Sequence, residues 1–206
     1  MLFRSDVVAL DQIRTVIRTL RDKLPEIFPG RQDVPKTLIY AKDDSHADDV
    51  VKIVREEFGK GNDFAQKITY KSRLTGADPE ELIRAFRNTY LPRIAVTVEM
   101  IATGTDIKPL EVVLFLRQVR SRNLFEQMKG RGVRVINDTD FQAVNPGGGA
   151  KTRFVIVDAV GVTESELSDS QPLERRPTIS LEVLFRSIAL GTADADVVQR
   201  DRKNVV

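Results

Sequence analysis

A chain of 206 residues with 41% hydrophobic residues can bury one substantial core with an appendage, and it is short for two full α/β domains. Its 32 basic and 30 acidic side chains leave a net charge of +2, so any basic surface that meets nucleic acid must be local. The absence of cysteine excludes a disulfide scaffold and a thiolate zinc site and suits a cytoplasmic protein, and no run approaches the roughly 18 to 20 apolar residues of a membrane helix.

From Asp11 to Leu24, apolar Ile13, Val16, Ile17, Leu20 and Leu24 recur at helical spacing, and Pro25, Pro29 and Gly30 are expected to stop that helix. Thr37 to Ala41 reads as a buried strand. A helix capped near Asp44 or Ser45 follows and continues through Val50, Val51, Ile53, Val54 and Phe58. Lys67 to Tyr70 reads as the next strand, and Pro79 opens a helix carrying Leu82, Ile83 and Phe86. Arg93 to Val98 and Val112 to Leu116 are further strands, Ser121 to Gly130 a helix, and Phe154 to Val157 a last strand. This alternation predicts an α/β fold with a mainly parallel sheet covered on both faces, preceded by an N-terminal helix.

The glycine-rich stretch Asn145 to Ala150 is polar and expected outside the core, as a linker or loop, with a phosphate cradle as the other reading. Beyond Asp158 the segment Thr163 to Pro177 is polar and proline-punctuated, and Ile179 to Leu190 reads as a C-terminal helical extension. The expected organisation is an N-terminal helix and connector over residues 1–34, a main lobe over 35–160, and a polar linker with the start of a helical element over 161–206.

No Gly-x-x-x-x-Gly-Lys-Ser/Thr occurs, and Gly59-Lys60-Gly61 has neither its spacing nor its hydroxyl, so the chain by itself is not expected to hydrolyse ATP. Asp43-Asp44-Ser45-His46 imitates the Asp-Glu-x-His box of ATPase motors, but Lys42 separates it from the strand and its second residue is Asp. Acidic side chains are also what a helix N-terminus attracts. With Asp48 and Asp49 the same cluster could instead bind a metal for phosphodiester hydrolysis.

The segment Leu124 to Arg134 carries a sharper signal. Gln127, Gly130, Arg131 and Arg134 are spaced i, i+3, i+4 and i+7, so on a continued helix they share one face, although Gly130 and Gly132 are expected to end or loosen that helix near Arg131. Two guanidinium groups converging on one anion suit the oxygens of a transferring phosphoryl group. The alternative is a surface arginine cluster at a helix C-terminus, where cations are also favoured.

Gln127-x-x-Gly-Arg-x-x-Arg134 resembles the sixth helicase motif of superfamily 2 motors, and Thr97-Val98-Glu99-Met100-Ile101-Ala102-Thr103-Gly104-Thr105-Asp106-Ile107-Lys108 resembles the fifth. Lys36 to Lys42 resembles the strand of the fourth motif, and Leu82 to Asn88 the helix preceding the fifth, so the likeness covers about residues 35 to 136. Within that superfamily the runs Thr37 to Ala47 and Phe125 to Arg134 look like the motor subunit of type I restriction enzymes. Gly132-Val133 departs from the commonest helicase pattern, in which glycine stands second.

The resemblance implies a RecA-like second motor lobe that works on double-stranded DNA with ATP and Mg²⁺ held mainly by a first RecA-like lobe of the same parent chain, alongside restriction-modification subunits. Arg131 and Arg134 would then meet the γ-phosphate, with Gln127 orienting them or the attacking water. Gly104, Asp106 and Gly130 would sit at the nucleotide edge. Thr97, Thr103 and Lys71 would face the DNA backbone, Lys71 within a track that Arg73, Lys108, Arg117, Arg120 and Arg122 extend. By residue type, Thr97 is equally an ordinary strand residue and those cations ordinary solvated charges. Another superfamily 2 DNA helicase, a non-catalytic nucleic-acid-binding module of the same fold and a metal nuclease using Asp43 to Asp49 are the competing readings.

Overall fold

Apolar residues at periods of two and 3.6 organise the chain into α1 (Phe3–Ile27), β1 (Thr37–Tyr40), α2 (Asp44–Phe58), β2 (Ala65–Lys67), α3 (Pro79–Asn88), β3 (Ile94–Thr97), β4 (Val112–Phe115), α4 (Arg122–Gly130), α5 (Asp138–Val144) and β5 (Val155–Asp158). The structure, a computed structural model, describes residues 3–69, 78–98, 106–119, 122–130 and 132–160, all within one unit spanning Met1–Asp169. The expected extension at Ile179 to Leu190 and the polar segment before it lie outside the described residues.

The strands form one parallel sheet in the order β2-β3-β1-β4-β5, with Ile39 in register with Val96 on one side and Leu114 on the other. Every residue of β1, β3 and β4 is buried, as a sheet covered on both faces demands. Alternate side chains go to opposite faces. Ile39, Ala41, Ile94, Val96, Val112 and Leu114 pack with Ile17 and Leu20 of α1 and Val50 and Val54 of α2. Leu38, Tyr40, Ala95, Val113 and Phe115 pack with Ile83 and Phe86 of α3 and Phe125 of α4. This RecA-like architecture, with its N-terminal helix, is the one the motifs imply.

Several boundaries moved for identifiable reasons. Helix α1 runs through Pro25 to Ile27 rather than stopping at the proline. A proline inside a helix costs about 3 kcal/mol. Burial of Leu24 and Phe28, each contributing about 1.5–3 kcal/mol, offsets this, and the Phe28 N–H donates to the Leu24 carbonyl at 2.8 Å. The cap of α2 is Asp43, whose carboxylate accepts the His46 N–H, and Gly59 ends that helix at φ 60°. Strand β2 comprises Ala65–Lys67 instead of Lys67 to Tyr70, because an edge strand can pair through polar residues; Ile68 only adds an N–H to the Val96 carbonyl. Tyr70 lies outside the described residues.

Helix α5 was not foreseen. Asn137 caps it, and Phe141 and Val144 bury one side of its short span. The residue after it corrects the reading of the glycine-rich stretch as lying outside the core: Asn145 is fully buried, and its Oδ1 accepts from Arg93 Nη2 at 2.5 Å.

A charged residue precedes each central strand: Lys36, Arg93 and Glu111, all buried at the amino edge of the sheet. Arg31 meets Glu111 with two hydrogen bonds, of 2.8 and 3.1 Å. Arg93 donates to the carbonyls of Val34 and Val144 as well as to Asn145. Lys36 Nζ donates to the Thr89 and Pro92 carbonyls at 2.7 and 2.6 Å. Burial, helped by the Arg93 charge, pushes the Lys36 ammonium down to about 6. A neutral amine has two hydrogens, which two carbonyls satisfy.

Because an unfolded lysine titrates near 10.4, the unfolded chain binds more protons at this residue than the folded chain from about pH 6 upward. Its contribution to stability therefore rises with pH across that window. Lys36→Met removes the titration, so the stability deficit of the variant relative to wild type should widen between pH 6 and 9 in urea unfolding. A deficit independent of pH would show that Lys36 stays charged when buried.

Candidate functional site

The segments carrying the two principal motifs meet where the chain leads into β4 and β5. Asp106 to Leu110 run to the start of β4, with the Leu110 N–H closing a turn on the Ile107 carbonyl at 3.1 Å. Helix α4 carries Gln127, exposed, and ends at Gly130. The chain then turns, the Gly132 N–H donating to the Lys129 carbonyl at 3.0 Å, so Arg134 is not on the helix face that the i+7 spacing suggests. It comes instead beside Asp106, with Nε 3.6 Å from Oδ1, an ion pair longer than a hydrogen bond.

The Arg134 side chain is 65% exposed. Arg131, Gly104, Thr103 and Lys71 lie outside the described residues. Thr97 is buried at the carboxyl end of β3, and its carbonyl accepts from the Ala41 N–H. Arg117 joins the same end by donating to the Val98 carbonyl at 2.8 Å. A cleft of about 410 Å³ runs between Arg87 and Asn88 of α3, Asp106 and Lys108, and Asp140 of α5. Its mixed charges give it no clear preference for an anion.

Two residues that the motif reading missed hold this arrangement. Lys151 Nζ donates to the carbonyls of Gly132, Arg134 and Lys108 at 2.7, 2.8 and 2.8 Å, binding the end of the fifth motif to the end of the sixth. Its ammonium is therefore turned away from the phosphate-cradle role considered for the adjoining glycine-rich stretch. Phe154 packs against Gly132 so closely that a Cβ there would lie 1.7 Å from the ring. That contact accounts for glycine at position 132, where the commoner helicase pattern has another residue. The sequence clue for Lys151 was only its place after the glycine stretch, and for Phe154 its place at the start of the last expected strand.

The Asp43 to Asp49 cluster is engaged otherwise. Asp43 caps α2, while Asp44 accepts from Thr69 Oγ1 at 2.9 Å and pairs with Lys67, which also meets Asp48 at 2.7 Å. His46 Nδ1 accepts the Lys42 N–H, and burial lowers its pKa. Among the described residues no group of three His, Cys, Asp or Glu side chains is placed to hold a metal ion.

Since a methyl group at position 132 collides with the Phe154 ring, Gly132→Ala should destabilise the chain by about 1–3 kcal/mol. Phe154→Ala opens the needed space, so in urea unfolding the double variant should lose at least about 0.5 kcal/mol less than the two single losses added together. Strict additivity would refute the contact.

The sequence pattern of the helicase conserved C-terminal domain family matches residues 17–136. The endonuclease subunit of the type I restriction enzyme EcoKI from Escherichia coli strain K12 is 34% identical over 160 residues, covering 74% of this chain and 13% of that protein. The EcoAI endonuclease subunit from Escherichia coli is 28% identical over 137 residues, covering 65% of this chain and 16% of that protein. This chain thus spans only 13% to 16% of the length of these curated relatives. Among solved structures, a fragment from Vibrio vulnificus YJ016 described as an HsdR subunit of a type I restriction enzyme superposes with a TM-score of 0.57. At 20% identity, over 79% of this chain and 30% of that one, it supports the fold. No described helix is long and apolar enough to cross a membrane. With the family pattern running over half of its length and through both motif segments, the chain belongs to the helicase conserved C-terminal domain family.

Proposed function

We propose that this chain is the second motor lobe of an ATP-driven DNA translocase of the type I restriction enzymes, acting in the cytoplasm on double-stranded DNA alongside restriction-modification subunits. Arg131 and Arg134 supply guanidinium groups to ATP whose phosphates and Mg²⁺ are held mainly by a preceding RecA-like lobe. The observation that carries this reading is the meeting of Asp106, from the fifth motif, with the exposed Arg134 of the sixth, 3.6 Å apart. Residues 28 apart in the chain come together as a shared nucleotide edge requires.

The donor set fits the role. A guanidinium presents a planar fork to phosphate oxygens, and among the described residues that of Arg134 is held by a long, largely exposed ion pair. The sequence contains no phosphate loop, so the nucleotide must be bound elsewhere and met from this side. Gln127 orients the arginines or the attacking water, while Gly104 and Gly130 let the backbone approach the nucleotide. Thr97, Thr103 and Lys71 grip the DNA backbone. Closure of the two lobes over ATP then couples hydrolysis to movement of that grip.

In a polypeptide that joins this chain to its preceding lobe, Arg131→Ala and Arg134→Ala should each lower the kcat of DNA-stimulated ATP hydrolysis, by as much as about 10³-fold or more where the arginine acts as a finger. The 206-residue chain by itself should show negligible turnover. Unchanged turnover in both variants would favour a non-catalytic nucleic-acid-binding module. Robust hydrolysis by the isolated chain would overturn the half-site.

A further inference from the structure

The Arg134 side chain is tied to its surroundings by the ion pair with Asp106, but its backbone is held firmly from behind. Lys151 lies 17 residues downstream of Arg134 and 43 downstream of Lys108 in sequence. Its single ammonium takes the carbonyls of Lys108, Gly132 and Arg134, all within 2.7–2.8 Å. An ammonium has three hydrogens and no lone pair, so three convergent carbonyls satisfy it completely and no other side chain offers the same stoichiometry from one atom. The carbonyls belong to the last residue of the fifth-motif segment, to the glycine that turns the chain after α4, and to the arginine itself.

We propose that Lys151 is a positioning residue for Arg134, fixing the backbone from which the guanidinium reaches the nucleotide and locking the fifth- and sixth-motif segments to each other. This rests on the motor reading above for what Arg134 reaches, but not for the anchor itself. The anchor is supported from a second side by Phe154, which follows Lys151 by three residues and would collide with a Cβ at position 132. The segment 151–154 thus grips the motif through one polar and one apolar contact.

The anchor depends on protonation. Deprotonation leaves two hydrogens for three carbonyls. The charged groups around Lys151 are Glu111, already engaged by Arg31, together with Asp106, Arg134 and Lys108. Burial pushes the ammonium down to about 8 despite the carboxylates of Glu111 and Asp106, so the anchor should loosen as pH rises through that value.

The test has two arms. On the 206-residue chain, hydrogen–deuterium exchange should show the Gly132 amide, bonded to the Lys129 carbonyl, losing protection in Lys151→Met while the sheet strands keep theirs. In the two-lobe polypeptide, Lys151→Met should lower the kcat of ATP hydrolysis by on the order of 10²-fold, the cost of a misplaced catalytic group, with little change in the KM for ATP. Lys151→Arg, which stays charged throughout, should recover much of kcat and lack the decline that wild type shows above about pH 8. Unaltered exchange in Lys151→Met, or wild-type kcat in that variant where Arg134→Ala is impaired, would overturn the proposal and leave the motor reading intact. If Arg134→Ala is itself unimpaired, the role of Lys151 in ATP hydrolysis fails, while the exchange data still judge the anchor and Arg131→Ala judges the motor reading.

Discussion

Arg93 is buried to 1% exposure at the amino edge of the sheet, and among the described residues it has no carboxylate in hydrogen-bonding contact. Such a guanidinium survives only if its donors are met, because an unpaired buried charge costs several kcal/mol. Its partners are the Val34 carbonyl ahead of β1, the Tyr90 and Val144 carbonyls, and the Asn145 side chain. One side chain therefore fixes where the chain approaches β1, where α3 hands over to β3, and where α5 ends. The desolvation still lowers its pKa to about 10, which leaves it charged at neutral pH.

From that point a chain of constraint leads to the motifs. With Asn145 held by Arg93, the glycine-rich stretch has a fixed origin, and Gly148 turns back on the Asn145 carbonyl at 2.8 Å. The stretch delivers Lys151 beneath the sixth-motif turn and Phe154 against Gly132, and β5 then completes the sheet beside β4. The polar edge of the sheet and the arginine-bearing loop are thus built as one connected unit. The glycine stretch is less a tether than a spacer of defined length between two anchors.

This arrangement explains what sequence reasoning could reach. The strands β1, β3 and β4 were legible because a sheet buried on both faces writes itself as continuous apolar runs such as Thr37–Tyr40 and Val112–Phe115. Strand β2 was displaced because Ala65-Gln66-Lys67 pairs through its backbone at an edge, where side chains carry little signal. Helix α5 was missed because two buried residues in seven leave no periodicity to count. At the site, Asp106 and Arg134 were marked by motif resemblance alone, and they lie 3.6 Å apart. Lys151 and Asn145 were not, because their partners lie 17 to 52 residues away and no local pattern encodes a contact at that separation. The Asp43 to Asp49 cluster shows the converse: a metal-like composition that folding distributes among a helix cap, a lysine and a threonine.

The two kinds of restraint on Arg134 have different strengths, and the difference matters for the role proposed. Its carbonyl is held by a charge-assisted hydrogen bond of 2.8 Å from a half-buried lysine. Its guanidinium meets Asp106 at 3.6 Å with both side chains substantially exposed, a pair worth no more than about 0–1 kcal/mol. A phosphate offering short, bidentate hydrogen bonds can therefore draw the guanidinium away without disturbing the backbone that carries it. In the proposed role, a released arginine has Asp106 to return to. A group that must meet an anion in one state of a motor and leave it in the next needs a fixed base and a loosely held head, and the geometry around Arg134 has both.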